Sequence, residues 1–285
     1  MEENIKRLPD WLKRGIIDCE SSKEVRDILK EYGLNTVCDG ARCPNKAECF
    51  AKKTATFMIL GRNCTRNCRF CAVSHNGVDK VDMDEPEKIA LSIKKLNLHY
   101  AVITSVTRDD LPDGGAEHFK NTILAIKKLT PSTRVEVLTP DFKGMVSSVE
   151  MVVNTPLDVF NHNLETTKRL HKTIRPMANY ERSLEVLKVA KEINPNIKTK
   201  TGLMVGLGET QEELEEIFKD LVNIKCDIAT IGQYIRPTKN NAPVIRYYEP
   251  KEFENLEKIA KKIGIKYTFF APLARSSYRA KEVFE

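Results

Sequence analysis

An α/β architecture of repeated strand–helix units is the fold this chain predicts, and three features predict it. From about residue 54 onward, short apolar runs alternate with amphipathic segments, the pattern of βα units around a parallel sheet. Several of those runs are continuously apolar, as strands covered on both faces are. The 285 residues are enough for one large α/β unit with a substantial core. Six candidate strands fall two short of a closed eight-stranded barrel, so the sheet is expected to form a partial (β/α)6 TIM-like barrel with a lateral opening.

In chain order, residues 1–53 precede the barrel as an N-terminal extension with one short helix, around 23–31. The expected strands are 56–60, 100–106, 134–139, 157–161, 199–205 and 228–235. Between them, Ile89, Ile93 and Leu96 share one face of a helix after Pro86, and Leu184, Leu187 and Ala190 mark another. Leu214, Ile217, Phe218 and Leu221 form a stripe in the segment opening at Gln211, as do Phe253, Leu256, Ala260 and Ile263 in a last helix. These stripes are core. The barrel is taken as 54–265, and 266–285 as a C-terminal extension containing a further strand candidate, 267–270. The two extensions are expected to close over the barrel mouth. Reactive groups in such folds gather at the carboxyl ends of the strands, and the loop holding Cys64, Cys68 and Cys71 directly follows the first strand.

Lys and Arg number 46 against 40 Asp and Glu, giving a net charge of +6, but the two signs are interleaved without a sustained basic block. Nucleic acid is therefore not an expected partner. No apolar run approaches the roughly 20 residues that a membrane helix needs. Acidic residues directly after Met1 do not suit a secretory signal or a transit peptide. The chain is expected to be soluble and cytoplasmic, with its thiols reduced.

Six of the eight cysteines lie between Cys38 and Cys71, as Cys38-x4-Cys43-x5-Cys49 and Cys64-x3-Cys68-x2-Cys71. Closely spaced thiolates suit a soft transition metal or an iron–sulfur cluster. A tetrahedral zinc site calls for four ligands, usually in CxxC pairs, and each triplet is one short. A four-iron cluster held by three cysteines keeps one iron open to a small molecule. The competing readings are a structural zinc knuckle for the second triplet and a purely structural or electron-relay cluster for the first. Cys19 and Cys226 fall outside both and read as small buried hydrophobes.

The second triplet, with Phe70 before its last cysteine, resembles the radical S-adenosylmethionine superfamily. The first triplet, together with Arg275-Ser276-Ser277-Tyr278, resembles the lipoyl synthase family in particular. The resemblance extends along nearly the whole chain, through Thr104–Leu111 with Asp113-Gly114-Gly115-Ala116, Phe160–Thr166, Met204–Thr210 and Gly232-Gln233-Tyr234. It implies the same partial barrel, two [4Fe-4S] clusters and S-adenosyl-L-methionine as cofactors. It also implies a serine of the terminal motif as fourth ligand of the first triplet's cluster, placed at Ser277 with Ser276 as competitor. Serine oxygen is a harder, more readily protonated ligand than thiolate, so its iron should be released first. Without the family context both serines would be ordinary turn residues.

Other positions carry weaker assignments. Gly114 and Gly115 match an element whose backbone carbonyls hold the methionyl amine, although Ala116 stands where the family's relatives have a glutamate. Glu209, in Gly206-Leu207-Gly208-Glu209, is a candidate for a ribose hydroxyl or else a turn residue near a helix N-terminus. Asn161, His162, Asn163 and Glu165 end the fourth strand, with Glu165 the preferred ribose contact. Arg175 is a candidate for the cofactor carboxylate. His75, His99, His118 and His171 read as surface or rim residues.

The implied activity is radical insertion of sulfur at C6 and C8 of an octanoyl chain on a carrier lysine, with sulfur drawn from the auxiliary cluster at Cys38, Cys43 and Cys49. The implied partners are an octanoylated lipoyl carrier domain or glycine-cleavage carrier protein, an electron donor such as ferredoxin or flavodoxin, and cluster-repair proteins. The alternatives are another sulfur-inserting radical enzyme, for instance one acting on transfer RNA with an added RNA-binding appendage, and a non-enzymatic iron–sulfur or zinc protein.

Overall fold

The computed structural model describes residues 7–13, 20–52 and 55–278; Cys19 and the expected barrel start at residue 54 lie outside them. Three short helices come first: α1 (Glu20–Glu31), α2 (Val37–Gly40) and α3 (Lys46–Ala51). α1 exists because Val25, Ile28 and Leu29 fall on one side and are buried, while the intervening residues are mostly exposed. Thr36 caps α2 by accepting the Asp39 N–H.

The barrel follows as β1 (Thr56–Ile59), α4 (Glu85–Leu96), β2 (Tyr100–Ser105), α5 (Ala116–Leu129), β3 (Arg134–Leu138), α6 (Val146–Val153), β4 (Val159–Asn161), α7 (Lys168–Ile174), α8 (Tyr180–Ile193), β5 (Lys198–Val205), α9 (Gln211–Asn223), β6 (Ile228–Gln233), α10 (Pro250–Ile263) and β7 (Tyr267–Phe270). All neighbouring strands pair in parallel, in the order β1 to β7, as one sheet. Among the described strands, β1 has only β2 as a neighbour and β7 only β6, which leaves the barrel open along one side. The 267–270 run, assigned from sequence to the C-terminal extension, is thus the seventh strand, with Ile228 opposite Tyr267 and Ile231 opposite Phe270. α10 supplies the crossover that returns it parallel. Its start is fixed by Pro250 and by a reciprocal pair of bonds between Glu249 and Glu252. Thr210 and Glu213 start α9 in the same way.

α5, α6 and α7 were not among the expected helices. α5 buries Phe119, Ile123 and Ile126, a stripe of the same kind as in α4. The core lies between the sheet and this helical layer, with Phe57, Ile59, Ile103, Val137, Phe160 and Ile231 fully buried. Inside the barrel, however, β3 and β5 carry a buried ion pair, Lys200 Nζ to Glu136 at 3.0 Å. Tyr100 and Asn161 donate to the same carboxylate at 2.6 and 3.0 Å.

The N-terminal extension is tied to the outer strand. Met58 N–H donates to Asn35 O at 2.9 Å, Thr36 forms an antiparallel bridge with Phe57, and Phe50 of α3 is buried in the main core. Among the described residues, no helix is long and apolar enough to cross a membrane.

Candidate active site

A cavity of about 460 Å³ opens at the carboxyl ends of the strands, and all six cysteines of the two triplets line it. Ser276 and Ser277 lie on the same wall, together with His162, Glu165 and Arg175. Residues from the N-terminal extension, the barrel and the C-terminal segment therefore share one chamber.

The second triplet occupies the loop after β1. Cys64 Sγ accepts the N–H groups of Arg66 at 3.4 Å and Thr107 at 3.3 Å, and Cys71 Sγ accepts Val73 N–H at 3.4 Å. The loop is pinned to the end of β2, because Thr65 donates to Thr107 O through both its N–H and its hydroxyl. Arg66 is buried and forked onto Asp109, at 2.7 and 2.9 Å, with a third bond to Asp141 at 2.7 Å. Arg182 holds the other oxygen of Asp141 at 2.8 Å. Burial pushes the Cys71 thiol up to about 12. It also raises Cys68, against the opposing charge of Arg175.

The first triplet is spread over α2, the turn after it and the middle of α3. Cys43 N–H donates to Cys38 O and Cys49 N–H to Asn45 O, folding the three thiols toward one side. Burial pushes Cys38 up to about 11 and Cys49 up to about 12, and the mutual repulsion of the three thiolates adds to it. A multiply charged metal centre is what would offset that cost.

The donor sets fit iron–sulfur clusters better than single ions. Among the described residues, no three His, Cys, Asp or Glu side chains converge closely enough to hold one metal ion. Thiolates on a single zinc stand roughly 4 Å apart, given a Zn–S bond near 2.3 Å. A four-iron cluster gives each thiolate its own iron and spreads them wider.

The C-terminal segment crosses beside the first triplet. Gln233 N–H donates to Pro272 O at 3.0 Å and Asn45 Nδ2 to Leu273 O at 2.7 Å. Ser276 Oγ donates to Asn163 Oδ1 at 2.8 Å, and Tyr278 Oη to Glu48 Oε1 at 2.9 Å. Two glycines permit this closeness. A Cβ on Gly232 would sit 2.0 Å from Ala274 O, and one on Gly202 would sit 2.4 Å from Ser276 Oγ. Ser276 is thus occupied, whereas the Ser277 hydroxyl makes no hydrogen bond among the described residues.

At the end of β4, Glu165 adopts φ +67° and bridges to β5 through its backbone. Its carboxylate accepts Asn163 Nδ2 at 2.9 Å, and burial raises its pKa against the pull of Arg175. Arg175 is buried, gives Nη1 to the carbonyls of Asn163 and Leu164, and keeps Nε unpartnered. His162 bonds Thr139 O through Nδ1 and leaves Nε2 unpartnered on the cavity wall. Burial and Arg175 push it down to about 4, so it is neutral at neutral pH. Asn161 instead turns inward to Glu136.

Several candidates stand elsewhere. Gly114 and Gly115 do not line the cavity. With φ +63° and +91° they form the turn into α5, and a Cβ on Gly115 would strike Leu60 at 2.4 Å. The β2 segment that faces the chamber is Thr104–Thr107. Glu209 is also outside it, accepting the N–H groups of Gly206 and Leu207 at 2.6 and 2.9 Å, which matches its turn reading. His75 and His99 are exposed, but His118 and His171 are not surface residues. His118 is buried against Glu85 at 2.8 Å and His171 against Leu164 O at 3.0 Å, because α5 and α7 turn those faces inward. Cys226 is buried as expected. Arg66, Asp141, Asn45 and Glu48 were not singled out from sequence; the only local signal was that Arg66 and the pair Asn45 and Glu48 fall inside the two cysteine triplets.

Residues 58–221 match the model of the Radical SAM superfamily. The chain is 55% identical over 274 residues to a lipoyl synthase of Caldicellulosiruptor saccharolyticus, covering 96% of each. It is 49% identical over 282 residues to one of Alkaliphilus metalliredigens, covering 99% of this chain and 97% of that one. Among solved structures, Streptococcus suis SuiB bound to S-adenosylmethionine superposes with a TM-score of 0.59 at 15% identity, over 79% of this chain and 54% of that one. Methylornithine synthase (PylB) superposes with a TM-score of 0.55 at 11% identity, over 93% and 86%. These two likenesses establish the fold, and the near full-length identity establishes the narrower group: this chain belongs to the lipoyl synthase family within the radical S-adenosylmethionine superfamily.

Proposed function

We propose that the protein is a radical S-adenosylmethionine sulfurtransferase that inserts sulfur at C6 and C8 of an octanoyl chain borne on the lysine of a lipoyl carrier protein. The observation that carries this reading is that both cysteine triplets face a single chamber, so a substrate bound there is within reach of both. When loaded, the cluster on Cys64, Cys68 and Cys71 with S-adenosylmethionine supplies hydrogen abstraction, and the auxiliary cluster on Cys38, Cys43 and Cys49 supplies sulfur.

The residues around the chamber have separable duties. Ser277, whose hydroxyl makes no hydrogen bond among the described residues, completes the auxiliary ligand set. Arg175 offers an unpartnered Nε to a carboxylate, and Glu165 an acceptor to hydroxyl groups. Because Nδ1 of the neutral His162 faces a carbonyl, Nε2 is an acceptor, suited to an amine or hydroxyl. Val37, Ala55, Met58, Val106 and Leu203 give the wall an apolar stretch for an acyl chain. Gly114, Gly115 and Glu209 serve only by shaping the loops that carry these groups. The described residues of the two extensions, 20–52 and 271–278, are read as covers over the mouth of a barrel that includes β7.

Ferredoxin or flavodoxin is the proposed electron donor, and consumption of the auxiliary cluster calls for cluster-repair proteins. Clustered free thiols suit the cytoplasm. The division of labour is tested by substitution. Cys38→Ala is expected to cleave S-adenosylmethionine yet give no thiolated octanoyl peptide by mass spectrometry, while Cys64→Ala does neither. Loss of cleavage to the same extent in both variants would contradict it.

A further inference from the structure

We infer that Tyr278 and Glu48 form a clasp that holds the serine ligand over the auxiliary cluster and so governs how readily that cluster yields its first iron. The inference rests on the reading of Ser277 as a ligand.

Ser277 lies between two anchored neighbours. On one side Ser276 bonds Asn163 at the end of β4; on the other, the Tyr278 hydroxyl reaches Glu48, one residue before Cys49. Glu48 is itself steadied by Lys52 at 2.9 Å, one turn further on at the C-terminal cap of α3. Three residues before Glu48, the buried Asn45 holds Leu273 O, so α3 and the C-terminal segment are joined at both ends of the stretch that contains the serines. The Tyr278 ring also packs on Phe269 of β7, with centroids 6.1 Å apart, which fixes the ring independently of its hydroxyl. The same helix therefore carries a thiolate ligand, Cys49, and the acceptor that positions the serine opposite it.

A weak ligand is retained in proportion to how well its backbone is held near the metal. Were a ferrous ion to leave a cluster held here, its bond to the serine oxygen and its three bonds to bridging sulfide would break without electron transfer, and the serine oxygen would take a proton from water, leaving hydroxide. If the clasp is released, the serine can swing away after each such opening and recapture becomes rare. Tyr278 is thus a positioning residue, acting through Ser277.

The test uses anaerobically reconstituted holoprotein and the ferrous chelator bathophenanthroline disulfonate, with Mössbauer spectra assigning iron loss to each cluster. Tyr278→Phe keeps the ring on Phe269, and Glu48→Ala removes the acceptor. Both are expected to speed the first iron's release from the auxiliary cluster roughly tenfold, the effect of losing one hydrogen bond to a carboxylate. Glu48→Gln keeps an acceptor oxygen and should stay within about threefold of the parent. Hydrogen exchange on metal-free protein should show faster exchange at 272–278 in the first two variants. Parent-like iron release from Tyr278→Phe, despite a loosened segment, overturns the clasp. Ser277→Ala distinguishes the two layers. Accelerated release there with no effect of Tyr278→Phe removes the clasp alone, and parent-like release there removes the ligand reading and the clasp with it.

Discussion

Asp141 shows how a single residue secures the cluster loop. Its side chain is fully buried, and burial by itself would raise its pKa; the hydrogen bond and charge of Arg66, with Arg182 behind, overcome this and hold the carboxyl well below the usual range. A folded-state pKa below the unfolded value of about 3.9 means the contribution to stability is complete above that value and declines as pH falls below it. Asp141→Asn leaves Arg66 short of a counter-charge in the interior, and about 3 kcal/mol of stability should be lost at pH 7. Urea unfolding of metal-free protein at pH 7 and again near pH 3 checks this. The gap between parent and variant should narrow at the lower pH, and equal stabilities at pH 7 would remove Asp141 from the account. The sequence made the six cysteines legible because their spacing is local. It could not reveal Arg66's partners, which lie 43 and 75 residues away. Gly114 and Gly115 show the converse: their motif is local too, but whether the turn faces the chamber depends on how Leu60 and Phe142 pack beneath it.

At the scale of elements, the strands were readable from their apolar runs, and the exceptions within those runs are informative. Glu136 and Lys200 interrupt β3 and β5, and both point into the barrel, where they pair with each other rather than with water. Each is tolerable only with its partner, since an unmatched charge in so dry a place is costly. Glu136→Gln and Lys200→Met should each destabilise the protein by about 3 kcal/mol. The double variant should be more stable than the sum of the singles predicts by about 2 kcal/mol, a coupling read from denaturant midpoints at constant m-value. Strict additivity would show that the pair is not coupled. β7 was visible as a run but not as a member of the sheet, because four residues carry no information about which edge they will join. α5 carries a stripe as regular as that of α4, set directly behind the Gly-Gly turn, so its apolar spacing is legible in the sequence.

For the molecule as a whole, the decisive feature is that the N-terminal extension shares the barrel's apolar core through residues such as Val25, Ile28 and Phe50 and also carries the cysteines of the first triplet. The barrel has a continuous core and a paired sheet, and its order is expected not to depend on metal. The cysteine-bearing stretch after α1 has two very short helices, α2 and α3, whose own hydrogen bonds are few. It is joined to the C-terminal segment by the Asn45 and Glu48 contacts, and burial there already opposes ionisation of Cys38 and Cys49. Cluster binding therefore contributes directly to the order of these segments, since a site that is not fully formed alone draws its folding energy from the metal. Hydrogen exchange followed by mass spectrometry, on chelated and reconstituted protein, should show protection at 37–50 and 272–278 falling by about tenfold or more on metal removal, while α4 and α5 keep theirs. A uniform loss of protection along the chain would mean that the clusters support the barrel as well, and equal protection in both states would mean that the cover over the chamber is preformed. In the expected case, loss and rebuilding of a cluster on Cys38, Cys43 and Cys49 would open and reclose the described parts of the N- and C-terminal covers around a barrel that keeps its shape.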